Sequence, residues 1–432
     1  MAYILGNQMP LHTGFVGYIQ LHGHVQLVGW AGLFVMGVSL HFLPRLASVP
    51  LSNPRLPKII LRFMLPALVS RAVFHSILPY LAESAFFIPC AWLVAFSGLL
   101  EFIGVLLYIL TLVKTLRRAS EKAKNALRPV KPFLGMVLVG WVAFEIISLA
   151  LAIEMAWNGA ETYARNWNNF ANAIFIGLVL LPVAFTFSIK TFPLYLRLAS
   201  IDWPVRSAAI IYLAGLLLQI LPFSPVIKSI PPQIAFPIIY VATIVKALVI
   251  IIFVWKLDLF YKSRPAWSAA IKITPKTDRK PTRKNMPDYG EFGRFERLIY
   301  SAYFWLVVGA VFEAFYALSD LLQLGIPHGG DLVRHAYLLG FITLLIFGMS
   351  VRMIPGFLKK KRIASTKLVD ATFWLGNTAA VFRIAPLAFP ATAFDKIPLL
   401  TEISGGAFAY SGVIGMAAIL CLMINLQKTM KQ

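Results

Sequence analysis

The stretch from Ile238 to Trp255 reads IIYVATIVKALVIIIFVW, an apolar run broken by charge only at Lys246. A segment of this kind suits a helix buried in lipid, where every backbone N–H and C=O must find its partner within the segment itself. A membrane β-barrel would alternate apolar and polar residues, and this stretch does not. The rest of the chain has the same character. Its 432 residues are 59% hydrophobic and 13% charged, with a mean hydropathy of +0.75, which is too apolar for a domain dissolved in water.

Outward from that run, the pattern predicts an all-α membrane bundle of about eleven transmembrane helices, at 14–45, 57–80, 85–114, 132–157, 167–196, 206–222, 231–257, 297–324, 332–357, 367–390 and 402–426. Lysine and arginine test the count, because they concentrate on cytoplasmic connections. Of the 40, 33 fall on odd-numbered connections and the C-terminus. Four, Arg165, Lys228, Arg334 and Lys396, fall on the other side; Arg71, Lys246 and Arg383 lie inside helices. Eleven spans with the N-terminus outside and the C-terminus in the cytoplasm give this alternation. The formal net charge of +22 then needs no nucleic acid, since positive-inside bias and contact with anionic lipid account for it. The basic 258–294 segment reads as a solvated cytoplasmic linker. Cys90 and Cys421 lie within spans and read as free packing residues.

The single membrane domain, 1–432, contains an internal repeat. Helix 1 holds His24, Gly29, Gly37 and Pro44; helix 9 holds His335, Gly340, Gly348 and Pro355 at the same spacing. Ala95-Phe96-Ser97-Gly98 in helix 3 parallels Ala409-Tyr410-Ser411-Gly412 in helix 11, and Ala143-Phe144-Glu145 in helix 4 parallels Val311-Phe312-Glu313 in helix 8. Helix 5 ends in Ser188-Ile189-Lys190-Thr191-Phe192-Pro193, like Ser39 to Pro44 and Ser350 to Pro355. The chain thus divides into units of four, four and three helices, approximately 14–157, 167–324 and 332–426, in a pseudo-threefold bundle. Transporters also carry such repeats, so symmetry alone does not assign a chemistry.

Six of the seven histidines, His12, His22, His24, His75, His328 and His335, fall at or near the outer face, and His41 lies at the inner end. His24 and His335 occupy matched positions on equivalent helices, which places two imidazoles at one depth. Such a pair can hold a heme from both sides; two ordinary interfacial histidines are the competing reading. Gly29 and Gly340 either let a flat macrocycle approach the backbone or let helices pack closely. His22, two residues from His24, leaves the helix on nearly the opposite side. With His75 it is the candidate for a second centre, a copper ion or another heme. Arg71 and Arg383 need anionic partners inside a membrane. Heme propionates would serve, as would an ion pair with Glu101, Glu145 or Glu313. His41, Lys190 and Arg352 mark inner helix ends, with a cytoplasmic anion site as the alternative.

The element from His335-Ala336-Tyr337-Leu338-Leu339-Gly340 to Arg352, together with the His22-Gly23-His24 helix, resembles NnrS-type membrane proteins. These are heme-containing bacterial proteins associated with nitric oxide metabolism and nitrosative stress. The architecture also resembles subunit I of heme-copper oxidases and nitric oxide reductases, in which helices 1, 5 and 9 here would correspond to the second, sixth and tenth. That resemblance makes His24 and His335 the axial ligands of a low-spin, b-type heme. The usual copper ligands are not found: helix 5 offers Asn168, Asn169 and Asn172, helix 6 has no histidine, and Val333 stands two residues before His335. The resemblance implies a heme-binding protein of the bacterial inner membrane, with nitric oxide or another diatomic gas as partner and a redox role left open. The alternatives are a terminal reductase with a rearranged outer metal site, and a solute transporter without heme, for which Lys246 and Glu145 are the supporting residues.

Overall fold

The computed structural model describes all residues except 1–12, 197, 199, 200, 202, 223, 225, 226, 228, 229, 261–289, 327–329 and 389–397. His12, His328 and most of the 258–294 linker lie outside the described residues. Among those described, eleven long helices run in order: α1 Phe15–Leu46, α2 Leu56–Leu81, α3 Phe87–Arg117, α4 Lys131–Asn158, α5 Arg165–Tyr195, α6 Val205–Ile220, α7 Pro232–Lys256, α8 Phe295–Leu321, α9 Gly330–Phe357, α10 Thr366–Ile384 and α11 Pro398–Lys431. No strand occurs among them. Each helix falls within a few residues of a sequence-predicted span, apart from the last turns of α10 and the two ends of α11. Nine are long and apolar enough to cross a membrane. The exceptions have plain causes: α6 has 16 residues, about 24 Å of rise against a hydrocarbon core of about 30 Å, and α10 carries Lys367, Asp370 and Arg383.

Local chemistry sets several boundaries. Ser120 Oγ caps the short helix Glu121–Leu127 by accepting from Ala123 N–H, and Ser365 Oγ caps α10 by accepting from Leu368 N–H, both at 3.3 Å; a serine at this position satisfies one of the N–H groups a helix start leaves over. Gly159 closes α4 at φ 62°, a conformation glycine adopts without a Cβ penalty.

Three helices depart from α geometry. Val25–Gly32 in α1, Phe175–Leu180 in α5 and Ala336–Thr343 in α9 are π-helical, and each of these helices carries a proline near its C-terminal end, Pro44, Pro193 and Pro355. They are the three helices that end in the shared pattern from Ser39 to Pro44, Ser188 to Pro193 and Ser350 to Pro355. A π segment adds a residue to a turn and so re-aims the side chains on either side of it relative to one another.

The described chain forms two compact units. The first comprises 11–186 and 204–239; the second comprises 187–203 and 240–432. The boundary therefore falls inside α5 and α7 rather than at the joints between the sequence repeats. In the first unit Trp141, Phe144 and Phe175 interlock, with ring centroids 4.7 and 4.6 Å apart. In the second, Tyr303 packs on Phe341 at 5.0 Å and on Phe192 at 5.5 Å. Outer faces bear Val69, Val139, Trp157, Phe304 and Val413 in the open, as side chains turned toward lipid should be.

Candidate functional site

The first unit gathers polar groups where lipid-spanning helices ordinarily carry none. α1 supplies His24, the residue immediately before its π segment, and Gln20 one turn earlier. α2 supplies Arg71 and His75, α3 Glu101, α4 Glu145 and Ser148, and the connection before α5 supplies Tyr163. All eight are buried.

Glu101 is the hub. Its two oxygens accept from His24 Nε2 at 2.9 and 3.1 Å, and one of them lies 3.1 Å from an Arg71 guanidinium nitrogen. Arg71 also donates to Ser148 Oγ and Tyr163 Oη, both at 3.3 Å. Removing either partner of such a buried pair leaves an uncompensated charge, at a cost of about 3–5 kcal/mol. Gly98 makes room for this arrangement, because a Cβ there would lie 2.9 Å from Arg71. Around the hub, the His24 ring stacks on Phe144 with centroids 5.8 Å apart, and His75 lies against Tyr163 at 4.7 Å. The Gln20 side chain grips the Tyr163 backbone twice, donating to its carbonyl at 2.9 Å and accepting from its N–H at 2.8 Å.

The second unit holds His335, half-buried and again the residue before a π segment. Its Nδ1 lies 2.7 Å from the Asp331 carbonyl one turn earlier. A carbonyl has no proton to give, so Nδ1 donates and Nε2 keeps its lone pair. Arg383 lies over the Phe408 ring, 4.4 Å from its centroid, with Asp331 among its charged neighbours and the His335 imidazole near it. Elsewhere in this unit Lys246 donates to Glu313 at 2.7 Å, and Tyr337 donates to the other carboxylate oxygen at 2.7 Å. Arg352, near the C-terminal end of α9, is flanked by Tyr195 and Phe292 at 4.6 and 4.4 Å.

These positions sort the expectations. Arg71 takes the ion-pair reading, with Glu101 as its partner, and Lys246 is neutralised by Glu313. The macrocycle reading of Gly340 is corrected: a Cβ there would lie 2.6 Å from Trp305, so this glycine admits an α8 side chain. Gly29 meets Val25 and Leu68 at ordinary contact distance, again a packing role. His22 is exposed while His75 is wholly buried. Among the described residues no group of three or more His, Cys, Asp or Glu side chains is arranged to hold a metal ion; His12 and His328, the other histidines that could join His22 and His75, lie outside the described residues. Sequence reasoning missed Gln20, Ser148 and Tyr163. The lone carboxylate of Glu101 in an apolar span was the signal for the hub, but nothing in the sequence pairs it with His24.

No family model matches the chain, and no curated protein matches it. Among solved structures, a heme-copper terminal oxidase determined as a dimer by cryo-EM is similar over 99% of this chain and 79% of its own length, with a TM-score of 0.66 at 15% identity. The fold is thus a polytopic helical bundle of heme-copper oxidase-like architecture. The chain is a multi-pass membrane protein.

Proposed function

We propose that the chain is a heme-binding protein of the bacterial inner membrane, with His24 and His335 as axial ligands, and that it serves in nitric oxide metabolism or nitrosative stress as NnrS-type proteins do. The observation that carries the heme reading is the contact of His335 Nδ1 with the Asp331 carbonyl. A backbone carbonyl holding Nδ1–H is the arrangement that orients a ligating imidazole and raises its basicity, and it leaves Nε2 free for iron. Arg383, in the same unit and beside an aromatic ring, supports a role for that guanidinium in pairing with a propionate.

His24 supports the reading on different terms. Its Nε2–H is committed to Glu101, so the nitrogen left for a metal is Nδ1, in a carboxylate–histidine pairing of the kind found behind metal ligands. That both imidazoles hold one heme rests on the sequence repeat. Bound heme would supply one-electron redox chemistry and affinity for diatomic gases; the chain's own residues fix the ligand tautomers and neutralise the buried charges around them.

The absorption spectrum of the purified protein tests this. A Soret band with sharp bands on reduction supports heme; its absence rejects it and favours a transporter, for which the partly buried Lys246–Glu313–Tyr337 set is the specific feature. Copper content separates a reductase with a second metal from a heme carrier. His335→Ala and His24→Ala should each abolish the low-spin signal while the protein still inserts, whereas His41→Ala, about 25 Å along α1 from His24, should leave it unchanged. A spectrum insensitive to both outer histidines would sink the assignment.

A further inference from the structure

The hub around Glu101 leaves a set of polar atoms on one side without protein partners. Among the described residues, both ring nitrogens of His75, both carboxylate oxygens of Glu145 and Nε of Arg71 are buried and make no hydrogen bond. They belong to one neighbourhood. Arg71 and His75 lie one turn apart on α2, Glu145 and Ser148 lie one turn apart on α4, and Ser148 touches Arg71; Arg71 is among the charged neighbours of both His75 and Glu145. Each such group bears its full desolvation cost if it stays unpaired away from water. Several together in one place call for a ligand that pairs them.

Charge selects that ligand. A cation would sit against the permanent Arg71 guanidinium, and an anion would face the carboxyl groups of Glu145 and Glu101. Neither fits. The unpaired atoms are also of opposite kinds: a donor on Arg71, acceptors on Glu145, and one donor with one acceptor on neutral His75. A small neutral molecule that both donates and accepts satisfies all of them, and water does so with the two to four polar partners a buried water requires.

We propose that Arg71, His75 and Glu145 bound a hydrated chamber within the helices of the first unit, in which ordered water links the α2 and α4 side chains, and that Tyr163, clamped by Gln20 against His75 and Arg71, closes it on one side.

X-ray radiolytic footprinting of the full chain in lipid nanodiscs, in ¹⁸O-water and with a bulk radical scavenger present, reads bound water directly. The expected result is ¹⁸O label on His75 and Tyr163 that survives the scavenger, with none on Tyr212, which is buried in the same unit and already bonded to the Gly177 carbonyl. Glu145→Leu should reduce the His75 label to the Tyr212 level. Thermal unfolding supplies a second reading: in a dry cluster Glu145→Leu removes an unpaired polar group and raises the midpoint, whereas in a hydrated one it breaks a paired network and lowers it. A His75 label no greater than that of Tyr212, a raised midpoint, or stoichiometric metal retained by wild type and lost in His75→Phe would each overturn the proposal. Heme content plays no part in these readouts, so they stand or fall separately from the heme assignment.

Discussion

At the scale of single residues, glycines that look alike in the sequence do different work. Gly37 and Gly348 are matched by the repeat, as are Gly29 and Gly340, yet the space around them differs. Apart from its own stretch of helix, no atom lies within 4 Å of where a Gly37 Cβ would stand, while at Gly340 the Trp305 side chain is 2.6 Å away. Overpacking of that kind costs about 1–3 kcal/mol, whereas an alanine in open helix gains about 0.5–1 kcal/mol over glycine. Gly340→Ala should therefore lower the thermal midpoint of the purified protein, and Gly37→Ala should hold or raise it; equal effects would remove the packing argument. The residue-scale site was only partly legible beforehand. A charged residue in an apolar run announces itself, which is why Arg71, Arg383 and Lys246 stood out. The partner on another helix does not, because the rotation of each helix about its axis decides which of Glu101, Glu145 and Glu313 an arginine meets. Tyr163 and Gln20 were harder still: their bond joins a connection to a helix, and neither residue type is unusual where it lies.

At the scale of elements, the three π segments set the register between the outer and inner halves of α1, α5 and α9. Each begins within two residues of the position aligned with His24. In α9, Thr343 Oγ1 reaches back five residues to the Leu338 carbonyl at 3.0 Å, a hydrogen bond suited to the wider turn. Deleting Leu339 removes the extra residue of the wide turn, so this stretch should close to α geometry with His335 keeping its aim relative to Gly348. The expected outcome is retained helicity with a retained low-spin heme signal. Loss of the signal with helicity intact would mean that the π segment does not absorb one residue in aiming His335. Composition and periodicity foretold the helices themselves because hydropathy acts through whole segments. They could not foretell the π turns, which change the hydrogen-bond partner without changing which residues are apolar.

At the scale of the molecule, the eleven helices were legible because lipid imposes length and hydrophobicity together, and the basic residues add a sign to each connection. Sidedness is checked by reporter fusion: an insertion in the 258–294 segment should be cytoplasmic, and one beside Arg334 should be outside, with either result reversed breaking the depth argument for the histidines. The division into two units, by contrast, had no signature in sequence. It passes through the middle of α5 and α7, where contacts rather than connections decide membership, and the repeat pointed to different joints.

The Gln20 clamp on Tyr163 has a wider consequence. A primary amide bonded to both the N–H and the C=O of one residue does what the next strand of a sheet would do, in a described structure that has no strands. The Tyr163 backbone is thereby relieved of its need for solvent and can lie over the buried ion cluster as an ordered plug. Only a side chain that both donates and accepts in one plane can substitute for a missing strand in this way. A carboxylate cannot, so at position 20 the difference between glutamine and glutamate is the difference between a closed and an unfastened outer end of the first unit.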